Sequence, residues 1–132
     1  MDGGVSLAAV TNLLDGFWTA AVAPLMSNVQ LNLGALASPG SVTLPHAGQI
    51  LGLIREQDAA LGAGTMTIKT FINGSSINAQ TITSSSAGRG KSLFSRGAFR
   101  FNADDYIDIR LSTDLSVSIV SKIIVYPLVA FD

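Results

Sequence analysis

From residue 41 onward, the chain alternates short apolar segments with turn-forming residues. In Thr65–Ile72, the side chains of Met66, Ile68, Thr70 and Ile72 fall on one face of an extended chain, and those of Thr65, Thr67, Lys69 and Phe71 fall on the other. The same alternation recurs in Tyr106–Leu111. Segments of this length and period, bounded by Gly, Asn, Asp, Ser or Pro, are typical of strands that bury one face. The pattern predicts an all-β domain.

A turn signal joins two of these segments into a hairpin. Asn73-Gly74 follows directly after the first alternating segment, and this dipeptide readily adopts the positive φ angles of a two-residue type I′ turn. The chain then continues with apolar residues at Ile77 and Ile82. We therefore predict a β-hairpin over residues 65–83. The preceding segment, 48–57, alternates more weakly, so a strand and a short helix at 50–61 are both compatible with it.

The C-terminal third predicts two further strands. Tyr106–Leu111 alternates regularly after a turn at Asn102–Asp105, which indicates a strand that buries one face. Val117–Phe131 contains few polar residues and predicts a long strand that is buried on both faces or lies at an interface. Pro127 has no backbone N–H to donate, so it indicates an edge position or a bulge.

The first 27 residues carry a different pattern. Leu13, Leu14, Phe17 and Trp18 concentrate apolar surface ahead of the other predicted strands. Because exposing these side chains to water would be costly, the segment is either an arm that lies on a neighbouring subunit or a first strand of the same sandwich. We therefore divide the chain into an N-terminal arm or first strand at 1–27 and one β-sandwich domain at 28–132.

Composition narrows the classes of function. The 132 residues suffice for one domain, without a second independent core. Charged residues make up 13% of the chain, against a usual share of about 25%, and a surface so poor in charge often contacts another protein. The net charge of −1 and the absence of long apolar runs argue against nucleic acid and membrane as partners. The chain has no cysteine, which excludes disulfides and thiolate metal sites.

No combination of residues forms a recognisable catalytic, cofactor or metal site. Gly88–Ser92 resembles the end of a phosphate-binding loop, but that motif requires glycine where the chain has Ser85. Asp104 and Asp105 suit a turn better than a calcium site, because no EF-hand spacing follows them. His46 is the only histidine, and no nucleophile motif accompanies it. We expect a non-enzymatic protein with no cofactor and no metal.

Basic residues concentrate in one segment. Four of the eight basic residues fall within positions 89–100, namely Arg89, Lys91, Arg96 and Arg100, and several aspartates follow them. Segments of opposite charge can pair between neighbouring subunits, where they add register and association rate more than affinity. Solvated loop charges and contact with nucleic acid are the alternatives, and the second lacks interleaved aromatic residues for base stacking.

The order of segments resembles small jelly-roll domains of structural proteins in tailed bacteriophages. The residues that carry this resemblance are Gly48–Arg55, Ala59–Gly64, Thr65–Gly74, Phe101–Arg110 and Ile123–Phe131. In the family pattern a Gly-Asp turn precedes an alternating strand, and Asp104-Asp105 stands in its place here. Such domains occur in capsid decoration (cement) proteins, head fibres and tail or baseplate fibres. The resemblance implies a jelly-roll-like antiparallel β-sandwich with an N-terminal arm.

The same resemblance implies a virion protein without catalytic residues. We expect a capsid decoration protein that is assembled in the host cytoplasm, binds the outer capsid shell as a homotrimer and stabilises it by contacting the major capsid protein or another virion protein. The expected subunit or shell contacts are Leu13, Leu14, Phe17, Trp18, Arg89, Lys91, Arg96, Arg100, Val125 and Leu128. The alternative is a receptor- or carbohydrate-binding domain of a phage tail fibre, head fibre or baseplate.

Overall fold

The chain folds into strands connected by turns. The computed structural model describes residues 18–33, 40–83, 86, 88–117 and 120–132, and eleven strands and no helix occur within them. The strands are β1 (Trp18–Val22), β2 (Val29–Gln30), β3 (Asn32–Leu33), β4 (Val42–Thr43), β5 (Gly48–Gln57), β6 (Thr65–Ile72), β7 (Ser75–Thr83), β8 (Arg89–Leu93), β9 (Arg100–Phe101), β10 (Tyr106–Thr113) and β11 (Val120–Phe131). The predicted all-β class is confirmed.

Two antiparallel sheets form the sandwich. Sheet A has the order β3-β1-β11-β5-β8, with β9 also pairing with β5, and sheet B has the order β2-β10-β6-β7, with β4 also pairing with β10. The first strand therefore lies beside the last, and the chain passes from one sheet to the other at every connection except those between β6 and β7 and between β8 and β9. This arrangement is that of a jelly roll, as the sequence predicts.

The segment around Trp18 belongs to the sandwich. Trp18 pairs with Val125 of β11, and its indole Nε1 donates a hydrogen bond to the carbonyl of Gly40 at 2.9 Å. Trp18 is fully buried because β11 and β3 flank it within sheet A. Of the predicted segment 1–27, residues 18–22 are thus a first strand and not a separate arm. Leu13, Leu14 and Phe17 lie outside the described residues.

The predicted hairpin and its turn are present. Strands β6 and β7 pair from Thr65 opposite Thr83 to Ile72 opposite Ser75. Asn73 and Gly74 connect them with φ angles of 52° and 81°, the left-handed values that a type I′ turn requires. The weakly alternating segment before it is strand β5 and not a helix, because it pairs with β11 on one side and with β8 on the other.

The two C-terminal strands bury one face each. Ile107, Ile109 and Leu111 of β10 are fully buried, as predicted. In β11, Val125 is fully buried whereas Leu128 on the opposite face is half-buried, so of the two predicted alternatives the strand buried on both faces is wrong, and the strand at an interface stays a prediction. The register of β11 against β5 shifts between Leu128 and Val129, where Leu51 of β5 is the extra residue, so the bulge lies in the partner strand and not at Pro127. Among the described residues, β1 pairs with β11 only as far as Val125, so Pro127 pairs with β5 alone, which agrees with the edge position that was the other alternative.

The core lies between the two sheets. Its fully buried large side chains are Trp18, Val22, Leu31, Leu44, Ile50, Leu61, Met66, Ile107, Ile109, Leu111, Val120 and Ile123. They come from both sheets and from the connecting loops, and they concentrate around β1, β10 and β11. The opposite side of the sandwich, between the edge strands β7 and β8, contains polar side chains instead.

Candidate functional site

The outer face of sheet A carries apolar side chains in a regular array. Strands β11, β5 and β8 align three rows of side chains on this face: Ile124, Glu56 and Arg89; Tyr126, Ile54 and Lys91; and Leu128, Gly52 and Leu93. The β11 side chains in these rows are half-buried, and Leu93 is 66% exposed. An apolar column on β11 therefore runs parallel to a largely basic column on β8, and we call this surface the sheet A outer face.

The predicted basic contacts fall mainly on this sheet. Arg89 and Lys91 project from β8, and Arg100 lies on β9 beside β5. Arg89 forms an ion pair with Glu56 at 3.8 Å, and Arg100 forms one with Asp132 at 2.5 Å. These side chains are substantially exposed, so each pair contributes only about 0–1 kcal/mol. Arg96 is exposed in the loop before β9.

The aspartates that follow in sequence do not form one acidic patch. Asp105 lies at one end of β10 and Asp114 at the other, whereas Asp108 is buried between them. Asp108 accepts a hydrogen bond from Arg110 Nε at 2.7 Å, and the guanidinium carbon of Arg110 lies 4.0 Å from the centre of the Phe71 ring. The acidic half of the predicted charge pairing is therefore dispersed and engaged within the chain.

Asp105 anchors the turn before β10. Its carboxylate accepts hydrogen bonds from the Asn102 backbone N–H and from Asn73 Nδ2, each at 2.8 Å. These bonds, the Asn102 bond first, lower the pKa of the Asp105 carboxyl from its ordinary value. Asn73 in turn accepts a hydrogen bond from the Tyr106 N–H at 3.0 Å. The hairpin turn and the turn before β10 are thereby joined.

Two of the predicted contact residues require correction. Trp18 and Val125 have no exposed surface within the single chain, because they face the core from adjacent strands of sheet A. Their apolar surface is therefore covered without a partner, and they are core residues. Leu128, also predicted as a contact, lies on the sheet A outer face, where a partner can reach it.

A second candidate site lies between the edges of the two sheets. A partly open cavity of about 110 Å³ separates β7 and β8, with an apolar floor of Leu53, Ile68, Ile82 and Val125. Arg55, Gln80 and Ser92 add polar groups to its wall. We call this cavity the inter-sheet pocket.

Arg55 points into the sandwich. It pairs with Val125 on one side and with Gly90 on the other, and Val125 is fully buried, so Arg55 shares the inward face. A Cβ at Gly90 would lie 2.6 Å from Arg55 Nη2, which explains the glycine at that position. Arg55 Nη1 donates a hydrogen bond to Gln57 Oε1. Burial lowers the pKa of the Arg55 guanidinium, because the interior disfavours its charge.

Polar atoms without hydrogen-bond partners lie beside this pocket. Gln80 faces inward opposite Ile68, and Asn78 faces inward opposite the fully buried Thr70. Gln80 Nε2 donates to Asn78 Oδ1 at 3.2 Å, but Gln80 Oε1, Asn78 Nδ2 and Thr70 Oγ1 are buried without a partner among the described residues. Such atoms are rare in folded proteins, because each costs about 1–3 kcal/mol.

None of these polar residues was predicted from the sequence to belong to a site. A signal was nevertheless present, because Thr70 alternates in phase with Met66 and Ile68, and Arg55 alternates in phase with Leu53. A polar residue on the predicted core face of a strand marks an interior group that needs a partner. The contributions of Asn78 and Gln80 depended on the register between β6 and β7, which includes a shift after Thr70.

The other sequence candidates are engaged elsewhere. Residues 89–92 of the Gly88–Ser92 segment are themselves part of strand β8, and among the described residues no helix follows them, so the segment lacks the geometry of a phosphate-binding loop. The exposed His46 contacts the Phe131 ring edge-on, with 6.1 Å between ring centres. Within the described ranges, no group of three or more His, Cys, Asp or Glu side chains is placed to hold a metal ion.

Comparison with known proteins assigns no family. No protein-family model matches the chain, and no curated protein matches it. Among solved structures, the insecticidal delta-endotoxin Cry8Ea1 from Bacillus thuringiensis matches at 12% identity and a TM-score of 0.34, over 80% of this chain and 20% of the toxin chain. This chain thus spans about a fifth of the toxin's length, and a similarity this low carries no argument. In the described part of the chain, no helix has the length and apolar character needed to cross a membrane.

Proposed function

We propose that the chain is a non-enzymatic structural protein that acts by assembly: a capsid decoration protein that binds the outer shell of a bacteriophage capsid as a homotrimer and stabilises it. The observation that carries this proposal is the sheet A outer face, where Ile54, Ile124, Tyr126 and Leu128 lie together on one exposed side of the sandwich. Contiguous apolar side chains on a surface are typical of protein contacts.

The distribution of polar groups supports the same proposal. The outer face of sheet B is rich in hydroxyl groups, and Thr67, Thr81 and Ser112 form one of its rows. The sheet A outer face instead combines apolar and basic side chains. A threefold ring requires each copy to present two different surfaces to its neighbours. The proposal assigns the sheet A outer face to one of them and leaves the hydroxyl-rich outer face of sheet B in contact with water.

The self-assembly part is tested by measuring the mass of the full chain in solution by light scattering over a range of concentrations. We expect a species of three times 13.7 kDa that dissociates on dilution. Leu93→Lys and Leu128→Lys place a charge on the sheet A outer face and should yield monomers, with the thermal midpoint that the unmodified chain has when it is diluted to the monomer. Thr67→Lys, on the outer face of sheet B, is the matched control and should leave the trimer intact.

A monomer at all concentrations, or variants on both faces that assemble equally well, would contradict the trimer. The shell-binding part is tested separately by co-sedimentation with capsids of the phage that encodes the chain. We expect the unmodified chain to sediment with the shell and Leu128→Lys to remain in the supernatant. Equal sedimentation of both would exclude the sheet A outer face as the shell contact.

A further inference from the structure

The inter-sheet pocket combines features that stability alone does not explain. Gln80 Oε1 and Asn78 Nδ2 are buried without partners, although an apolar side chain at either position would carry no such cost. The inward guanidinium of Arg55 adds a charge to the same interior, and Gly90 leaves the space that this group occupies. Polar groups that converge on a cavity with an apolar floor are the usual composition of a small-molecule site.

The polar groups in the wall of the inter-sheet pocket indicate which chemical groups a ligand must carry. A guanidinium presents planar N–H donors that match a carboxylate, and Arg55 is the charged group on the inward face of β5 at this cavity. The amide oxygen of Gln80 is an acceptor without a donor, which a hydroxyl group can satisfy. Ser92, also in the wall, can donate to or accept from a second hydroxyl. The floor of Leu53, Ile68, Ile82 and Val125 suits carbon-bound hydrogens.

The size of the cavity limits how much of a ligand can enter the sandwich. A volume of about 110 Å³ exceeds the roughly 10–15 Å³ that one water molecule needs by several fold. It therefore holds a carboxylate and a few neighbouring atoms, while the remainder of a six-membered ring stays at the mouth between β7 and β8. A flat aromatic acid would fit the floor but would leave Gln80 without a hydroxyl partner.

We propose that the inter-sheet pocket binds a small hydroxylated carboxylate of the sugar-acid class, with its carboxylate on Arg55 and a hydroxyl donating to Gln80. This binding is independent of the assembly role, because the pocket lies between the sheet edges and the assembly surface lies on the outer face of sheet A. The proposed assembly role does not itself require a ligand.

The probe for this proposal is D-glucuronate, titrated into the full chain and followed by the NMR shifts of its methyl groups. We expect the largest shifts at the floor residues Leu53, Ile68, Ile82 and Val125, with saturation as the probe is added. D-glucose carries a hydroxymethyl group in place of the carboxylate. It should bind at least about tenfold more weakly than D-glucuronate, because it cannot form the charge-assisted hydrogen bonds to Arg55. Acetate lacks the ring hydroxyls and should also bind at least about tenfold more weakly.

Two variants test the assigned contacts, and a third controls for general charge. Arg55→Met keeps an unbranched side chain without the charge and should weaken glucuronate binding at least about tenfold. Gln80→Met removes the amide and should weaken it by about threefold to tenfold, while the free energy of unfolding stays the same or rises. Arg89→Met removes a positive charge from the outer face of the same sheet, at a residue outside the pocket lining, and should leave the affinity unchanged.

Four results would overturn the proposal. The first is the absence of saturable shifts at the floor methyl groups, which would identify the cavity as a water-filled gap. The second is equal binding of glucuronate and acetate, which would remove the role of the hydroxyl groups. The third is an equal loss of affinity in Arg89→Met and Arg55→Met, because binding would then follow surface charge. The fourth is unchanged affinity in Arg55→Met.

Discussion

The interior of the sandwich is packed with apolar side chains on one side and contains inward-pointing polar side chains and a cavity on the other. On the side formed by β1, β10 and β11, which we call the closed side, Trp18, Val22 and Ile109 are completely buried among other apolar groups. On the side between the edge strands β7 and β8, which we call the open side, Arg55 and Gln80 point inward around a cavity. The comparison indicates that the closed side stabilises the fold, whereas the open side retains polar groups that the fold does not need.

The largest expected effect is on the closed side. Ile109→Ala removes a fully buried side chain at the centre of β10 and should lower the free energy of unfolding by about 2–5 kcal/mol, through lost burial and the cavity left behind. Gln80→Ala on the open side should cost less than about 1 kcal/mol, since it also removes an unpaired polar atom. Urea denaturation measures both. Equal losses would remove the distinction between the two sides.

The second effect separates a buried ion pair, Arg110 with Asp108, from an exposed one, Arg89 with Glu56. Arg110→Met leaves the buried carboxylate of Asp108 without its ion-pair partner and should cost about 1–3 kcal/mol, less than for a fully buried pair because Arg110 is 27% exposed. Arg89→Met breaks an exposed pair with Glu56 and serves as the matched control, with an expected loss below about 1 kcal/mol. The same urea titration compares them, and a loss in Arg110→Met no larger than the control would show that the buried pair is not required.

The third effect is a rise in the free energy of unfolding, whereas the first two are losses. Thr70→Val replaces a buried hydroxyl that has no partner by a methyl group of similar size and should raise the free energy of unfolding by about 1 kcal/mol. Thr67→Val lies on the outer face of the same strand and should change it by less than about 0.5 kcal/mol. Thermal unfolding of the two variants decides between them. A destabilised Thr70→Val would mean that the Thr70 hydroxyl has a partner, such as an ordered water molecule, and would remove Thr70 from the unpaired groups of the open side.

The smallest effect concerns the turn that joins the sheet B strands, and it appears as pH dependence. The folded-state pKa of Asp105 lies below its ordinary value because of the bonds from Asn102 and Asn73. The resulting stabilisation is present above the ordinary pKa of about 3.9 and is lost as the pH falls through the lower folded value. Asp105→Asn should therefore unfold at a lower temperature than the unmodified chain at pH 7, and the difference should shrink below about pH 4. A difference that does not depend on pH would assign the turn's stability to groups other than this carboxylate.

Much of the fold was predictable because local signals agreed with the tertiary structure. The alternation in Tyr106–Leu111 identified the buried face of β10, and Asn73-Gly74 identified the hairpin turn from its backbone requirements alone. Segment 48–57 was ambiguous, because its strand depends on partners at β11 and β8 that are distant in sequence. Trp18 was assigned to a possible intersubunit contact for the same reason: its burial comes from β11, more than one hundred residues later.

The sequence by itself determined the all-β class, the hairpin and the buried faces of the alternating strands, because side-chain period and turn geometry are local properties of the chain. It also determined the low charge, which favours an assembly role. Only the tertiary structure decided which polar residues share a site. Arg55 and Gln80 line one pocket between β5 and β7, which lie in different sheets, and Gln80 bonds to Asn78. The register shift after Thr70 sets which side chains of the hairpin oppose one another. Distances between sheets follow from packing, and no local pattern encodes them.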